Sequence, residues 1–288
     1  MTGAAPDSSS PGDPGTPRDT YTHGHHPAVL AVHSWRTAEN SAGFLLPHLA
    51  AGQRLLDVGC GPGTITLDLA RRVAPGTVVG IDNAADVIAT AHQNAAEAGA
   101  QGGGATGQVT FRVGDVYAID EPDDSFDVVY AHQVLQHLSD PRAALREMRR
   151  VCRPGGVVAV RDSDYAGFVW APLDPRLDRW MSLYHDLARG NGAEPDAGRF
   201  LLGWARDAGF TDITAGASAW CFATPADRAW WGNNWADRVS KSAFATQARE
   251  RGLATQDELD DLADAFRQWT AAPDGYFALL HGELICRP

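Results

Sequence analysis

Short apolar runs, each followed by a longer stretch with apolar residues at helical spacing, fill the chain from Arg54 to about residue 160. Leu55–Val58 predicts a buried strand, and residues 64–73 the helix that crosses back over it. Thr77–Ile81 is a second strand ending in Asp82, with its helix over Ala84–Ala98. A third strand, Val109–Val113, leads into Gly114-Asp115-Val116. The fourth, Phe126–Tyr130, precedes a helix near Pro141–Val151, and Arg153-Pro154-Gly155-Gly156 turns into a fifth, Val157–Val160. Strands alternating with helices predict an α/β fold, a doubly wound parallel sheet with helices on both faces.

Outside this region the texture differs. Tyr21–Leu49 reads as helical through Val29, Val32, Phe44, Leu45 and Leu49, with a break at Pro47. Residues 1–20, rich in Ser, Pro and Gly, lack the apolar content to fold and are expected to be a disordered tail. Beyond Asp162, eight of the nine tryptophans (all but Trp35) fall between Trp170 and Trp269 in mostly helical text. Thr211–Phe222 alternates like a strand and Tyr276–Cys286 reads as the last one, leaving Thr224–Pro273 as a helical insertion between them. The expected organisation is a tail over 1–20, a helical lid over 21–50, a ligand-binding core over 51–165, and acceptor-binding helices with the final strands over 166–288.

The first strand runs into Asp57-Val58-Gly59-Cys60-Gly61-Pro62-Gly63. Glycines at every second position after a strand admit backbone conformations and close approaches that a Cβ forbids. This D-x-G-x-G-x-G spacing differs from the G-x-G-x-x-G of dinucleotide-binding proteins, which argues against a nicotinamide dehydrogenase. It resembles the first motif of class I S-adenosylmethionine (SAM)-dependent methyltransferases. Val79–Asp82, Gly114–Val116, Phe126–Leu138 and Arg149–Val160 resemble that family's later motifs in order. The wording is most similar to the small-molecule branch, which includes ubiquinone/menaquinone-type and natural-product enzymes.

The resemblance implies a Rossmann-like sheet of seven strands with a reversed final hairpin, and SAM as cofactor. Gly59, Gly61 and Gly63 would let backbone approach the cofactor, and Asp57 would meet its ammonium. Asp82 would accept the ribose hydroxyls, as acids at that strand end commonly do. Asn83 would flank the adenine, Asp115 would accept its amino proton, and Val116 would line the ring. Many relatives carry Ser-Arg after the fourth strand where this chain has Ala131-His132; the Ala131 backbone and His132 are the candidates there for the methionine carboxylate. Arg36 is a further carboxylate candidate, with a solvated helix face as its plain alternative.

Methyl transfer is a displacement at carbon that chiefly needs alignment and exclusion of water. A base is required only where the acceptor holds its proton at neutral pH. His132 is the first candidate for a contact to cofactor or acceptor, and His137 an alternative base. Asp162, Asp164 and Tyr165 follow the fifth strand, where an acceptor would sit, although acids there also form turns. Trp170, Trp220, Trp230, Trp231 and Trp235 suit either an apolar acceptor chamber or core packing. His23, His25, His26 and His33 lack acidic or cysteine neighbours, so no metal is expected and a lid is the better reading.

The 36 acidic against 24 basic residues give a net charge of −12, which disfavours nucleic acid and anionic membranes as partners. Cys60, Cys152, Cys221 and Cys286 are widely spaced, as reduced thiols in a cytoplasmic protein would be. The expected activity is methyl transfer to O, N or C of a small, hydrophobic or aromatic metabolite, with homodimerisation left open. A tRNA or protein methyltransferase and a non-catalytic SAM-binding regulator or partner subunit are the alternatives.

Overall fold

The computed structural model describes Asp19 and residues 35–101 and 108–288. The tail, most of the expected lid and the histidines at 23, 25, 26 and 33 lie outside the described residues.

Strand β1 (Arg54–Val58) forms the middle of one sheet because Leu55, Leu56, Asp57 and Val58 are all buried, as a strand covered on both faces requires. β2 (Thr77–Asp82) and β4 (Phe126–His132) flank it in parallel, β3 (Gln108–Val113) lies outside β2, and β5 (Cys152–Ser163) lies outside β4. The chain thus winds outward through β2 and β3, then returns to the other side of β1. This reversal leaves a crevice at the carboxyl ends of β1 and β4. β8 (Tyr276–Arg287) runs antiparallel to β5, and β7 (Asp212–Phe222) lies antiparallel along the far edge of β8. A short β6 (Val169–Ala171) pairs with β8 beyond the end of β5, giving an eight-stranded sheet where seven were expected.

Helices cover both faces. α2 (Thr64–Val73) packs Ile65, Leu69 and Val73 against Leu55, Val128 and Tyr130. α1 (Ala38–Ser41) joins that face, and the Tyr130 hydroxyl donates to the Ser41 carbonyl at 2.8 Å. On the other face α4 (Pro141–Val151) and α6 (Ala197–Asp207) bury Leu145, Met148, Leu201 and Trp204 against Leu56, Val129 and Ala131. α3 (Ala85–Gln101) links β2 to β3. α5 (Pro175–Gly190) packs with the insertion between β7 and β8, which comprises α7 (Pro225–Lys241), α8 (Ala243–Glu250) and α9 (Gln256–Ala271).

Two expectations need correction. Within 35–49 only a four-residue helix and a single 3-10 turn at Leu46–His48 form, not a continuous helix. A capping box at Thr37 starts that helix, and Pro47 sits in the following turn, where it cannot supply an N–H. The fifth strand is also longer than expected: its register with β4 shifts between Phe126 and Val128, and Gly155 takes a left-handed φ of 78° to absorb the extra residues.

Candidate functional site

Gly59, Gly61 and Gly63 have φ values of 68°, 54° and 80°, a run that L-residues with a Cβ do not sustain. Neighbouring side chains already fill the space that two of the missing Cβ atoms would need. A Cβ on Gly59 would stand 2.4 Å from Val134 Cγ2, and one on Gly63 2.6 Å from Phe111 Cζ. The turn is therefore pressed against its own protein on that side. Its amides hold it to β2: Gly59 N and Cys60 N donate to the Ile81 carbonyl, and Gly61 N donates to Asp82 Oδ2 at 3.1 Å. Asp82 Oδ1 accepts from Ala84 N at 3.0 Å. One carboxylate thus joins the glycine turn to the start of the next helix.

Asp57 is 2% exposed and accepts the Thr66 hydroxyl at 2.6 Å. Burial raises its pKa to about 7; the Thr66 hydroxyl opposes this and the charge of Asp82 adds to it. Asn83 and Asp115 are exposed, while Val116 is half-buried. Asp115 accepts from Tyr117 N at 2.8 Å, which folds the loop back after β3. The Tyr117 hydroxyl donates to Asp19 Oδ2 at 2.8 Å, and Asp19 Oδ1 accepts from Ser139 N at 2.7 Å, so residue 19 bridges the loops after β3 and β4.

A second group of residues sits at the carboxyl ends of β4 and β5. Ala131 is fully buried within the core. His132 closes β4, packed among Tyr130, Trp220 and His281 at centroid distances of 6.4, 5.6 and 6.3 Å. Gln133 follows with a left-handed φ of 53°, unusual for a residue with a long side chain. Its Oε1 accepts from Arg36, and its Nε2 donates to Ser163 Oγ at 2.8 Å and to His281 Nε2 at 2.9 Å. His281 Nδ1 faces the Leu279 carbonyl at 3.0 Å, which can only accept, so the proton is on Nδ1 and Nε2 is the acceptor. Burial, then the charges of Arg161 and Arg36, hold the His281 pKa well below its ordinary value. Arg36 precedes α1 rather than lying on a helix, and its guanidinium lies 5.7 Å over the Trp220 ring.

Beneath this cluster Arg161, 1% exposed, pairs with Glu283 at 3.0 Å and donates to Ser218. Asp162 is fully buried inside β5, and its Oδ1 accepts from Gln136 N at 3.1 Å, capping the 3-10 turn Leu135–His137. Its pKa rises to about 7 because burial outweighs those amide bonds. Ser163 N donates to Gln136 Oε1, which turns Gln136 Nε2 toward His137 Nε2 at 3.0 Å. His137 is thereby an acceptor, and burial with the charges of Arg36 and Arg238 pushes its pKa down to about 3. His132 and His137 do not share a helix: one ends a strand and the other ends a 3-10 turn.

The remaining candidates lie apart from this cluster. Asp164 caps the turn Tyr165–Gly167 and pairs with Arg199. Tyr165 stacks between Phe168 and Tyr184 at 4.5 and 4.0 Å, inside the aromatic core of the helical lobe. Trp231 and Trp235 are buried in that same core, with Trp170 and Trp230 packed against it. Trp35, which stands apart from the other tryptophans in sequence, packs against Trp220, Phe222 and Trp230. Gln133, His281 and the Arg161–Glu283 pair escaped notice in the sequence. His281 and Glu283, two polar residues inside the otherwise apolar β8, were the available signal.

The model of a methyltransferase domain matches residues 49–228, more than half of the chain. An uncharacterized methyltransferase of Schizosaccharomyces pombe is 33% identical over 272 residues, covering 92% of this chain and 95% of that protein. This chain belongs to the methyltransferase family. The methyltransferase uses SAM as its methyl donor and falls in the class I, small-molecule branch. The 27-O-demethylrifamycin SV methyltransferase of Amycolatopsis mediterranei is 35% identical over 163 residues, 57% of this chain and 55% of that one. Among solved structures, the [4+2]-cyclase SpnF matches with a TM-score of 0.51 and 26% identity, covering 91% of this chain and 81% of that one. No described helix of the methyltransferase is long and apolar enough to cross a membrane, and no group of three or more His, Cys, Asp or Glu among the described residues could hold a metal.

The donor set at the crevice suits SAM. Carboxylates at the ends of β1 and β2 and after β3 are the groups that would meet the ammonium, the hydroxyls and the amino group of such a molecule.

Proposed function

We propose that this methyltransferase acts on a small organic acceptor held at the carboxyl ends of β4 and β5, between the segment around Trp35 and Arg36 and the helical insertion. What carries this reading is the polar cluster of buried His132, Ser163 and His281 around half-buried Gln133, built beside the glycine turn at the carboxyl edge of the sheet. When bound, SAM supplies a methyl carbon activated by positive sulfur. The glycine turn and Asp82 hold the ribose end, Asp115 and Val116 the adenine, and Asp57 the ammonium. Gln133 orients Arg36 toward a carboxylate of the donor. Trp35 and Trp220 exclude water from the reacting atoms.

His132 is the residue best placed to take a proton from a hydroxyl or carbon acceptor. His137 is a poor base, since its lone pair is engaged by Gln136 and its pKa lies near 3. Asp162 acts through the turn it caps. His132→Ala is expected to lower kcat at least tenfold, a larger effect in free energy than its cost to stability (tenfold is about 1.4 kcal/mol). Turnover with radiolabelled SAM and a panel of phenolic, amine and activated-carbon acceptors measures this, and full activity would remove His132 from the site.

A pH dependence follows from Asp57. Its pKa is raised in the folded protein, so it stabilises the ligand-free fold at low pH, and that contribution disappears as pH rises from about 4 through about 7. An ammonium group favours the ionised carboxylate, so donor binding changes in the opposite sense. Affinity for SAM should rise with pH up to about 7 and level off above it, with proton release near neutrality. Calorimetry in buffers of different ionisation enthalpy detects that release; Asp57→Asn should abolish it.

A further inference from the structure

The bonds around Gln133 leave its side-chain amide one orientation. Its Nε2 commits both protons, one to Ser163 Oγ at 2.8 Å and one to His281 Nε2 at 2.9 Å. Its Oε1 faces the other way and accepts from Arg36. An amide turned end for end would set its NH2 group against the guanidinium, donor against donor. Ser163 does not choose between the two, because a hydroxyl can donate or accept. His281 does. Its Nδ1 proton goes to the Leu279 carbonyl at 3.0 Å, so Nε2 carries the lone pair and requires a donor. The ring is fully buried and packs on Trp220 at 4.6 Å. An apolar side chain would suit those surroundings; what the imidazole adds is an acceptor.

Both sides of the Arg36–Gln133 contact are tied to the glycine turn. Val134, the residue after Gln133, fills the space beside Gly59. Ala38 N, two residues after Arg36, donates at 3.1 Å to Asp68 Oδ2 on α2, the helix that the turn begins. Gln133 also holds a left-handed backbone, its N–H donating to the Arg161 carbonyl at 2.7 Å. Strain of this kind persists where the surrounding structure holds it, and it gathers at ligand sites.

We propose that His281 is a positioning residue for the methyl donor, turning the Gln133 amide so that Arg36 is presented to the donor's carboxylate. This rests on the donor site proposed above and adds a residue of β8 to what determines donor binding. His281 acts at one remove, since the amide lies between it and the guanidinium. Its effect is therefore confined to ligands that carry the amino-acid end.

S-adenosylhomocysteine and methylthioadenosine share a nucleoside and a thioether, and only the first has the amino-acid end. Calorimetry on the full chain should show the first binding about tenfold or more tightly, as a charge-assisted contact to a carboxylate implies. His281→Leu should weaken S-adenosylhomocysteine by roughly fivefold or more and leave methylthioadenosine nearly unchanged. His281→Gln, whose amide oxygen can stand where Nε2 stands, should restore most of that loss. Gln133→Leu, at a half-buried position, should show the same selective loss and serves if His281→Leu does not fold. Equal weakening of both ligands by His281→Leu would mean a general structural role and would overturn the proposal. So would an unchanged preference in either leucine variant, or a glutamine variant no better than the leucine one. Arg36→Met separates the two levels of the argument. A preference that survives it strikes the donor-site reading; one that it abolishes, while both leucine variants keep it, strikes the role of His281 alone.

Discussion

Glu283→Leu lowers the stability of the protein by about 3–5 kcal/mol, the penalty for stripping a buried charge of its partner. Arg161 lies on β5 directly across from Glu283 on β8, in register and 1% exposed on its side chain. Ser218 and the Trp220 ring, 4.7 Å from the guanidinium, are its other neighbours, and its Nη1 already lacks a partner among the described residues. Without Glu283 the guanidinium keeps no carboxylate in contact among the described residues, only the charge of Asp162 beside it, and desolvation depresses its pKa further than it already does. The double variant Arg161→Met/Glu283→Leu should recover most of the loss, because two apolar side chains of similar volume leave no charge to compensate. Denaturant unfolding of the two single variants and the double variant completes the cycle. A Glu283→Leu cost below about 1 kcal/mol would show that water or relaxation relieves Arg161 and that the pair is not a structural tie.

Asp82→Ala weakens SAM binding by about 1–3 kcal/mol, or roughly 5- to 160-fold in Kd. Two losses add together. The carboxylate that would accept the ribose hydroxyls disappears, and Gly61 N and Ala84 N lose the acceptor that joins the turn to the start of α3. The same substitution removes a charge that raises the Asp57 pKa, so the pH at which affinity levels off should move down. Calorimetry over a pH series reads both effects from one set of titrations. Unchanged affinity would mean that the donor is held by another acid.

Much of this protein was readable in its sequence because the relevant interactions are local. Residues 64–73 form the expected helix, with Gly63 at its N-cap, since a left-handed glycine can end the turn and begin the helix without a side chain. Asp82 and Asp115 fall at or just past their strand ends for the same reason: strand, turn and helix in a doubly wound unit follow one another within a few residues. The helical insertion between β7 and β8 was also legible, because tryptophan-rich text at helical spacing interrupts two alternating runs.

Other features depended on segments far apart in the chain. Gly59 and Gly63 look like ligand-facing residues in the sequence, yet the atoms filling their Cβ positions belong to Val134 and Phe111, 75 and 48 positions away. Tyr165 and most of the tryptophans named as chamber residues pack into a core whose existence depends on α5, α7 and α9 meeting. Gln133 draws together Arg36, Ser163 and His281, three segments without sequence proximity.

The sequence by itself determined the winding of the sheet, the glycine turn and the acids that line one edge, because each of these arises from periodicity and backbone sterics over short distances. Only the tertiary structure decided the ionisation of Asp57 and His137 and the tautomer of His281. Those properties depend on burial and on charges brought close from remote positions, and no local pattern encodes either.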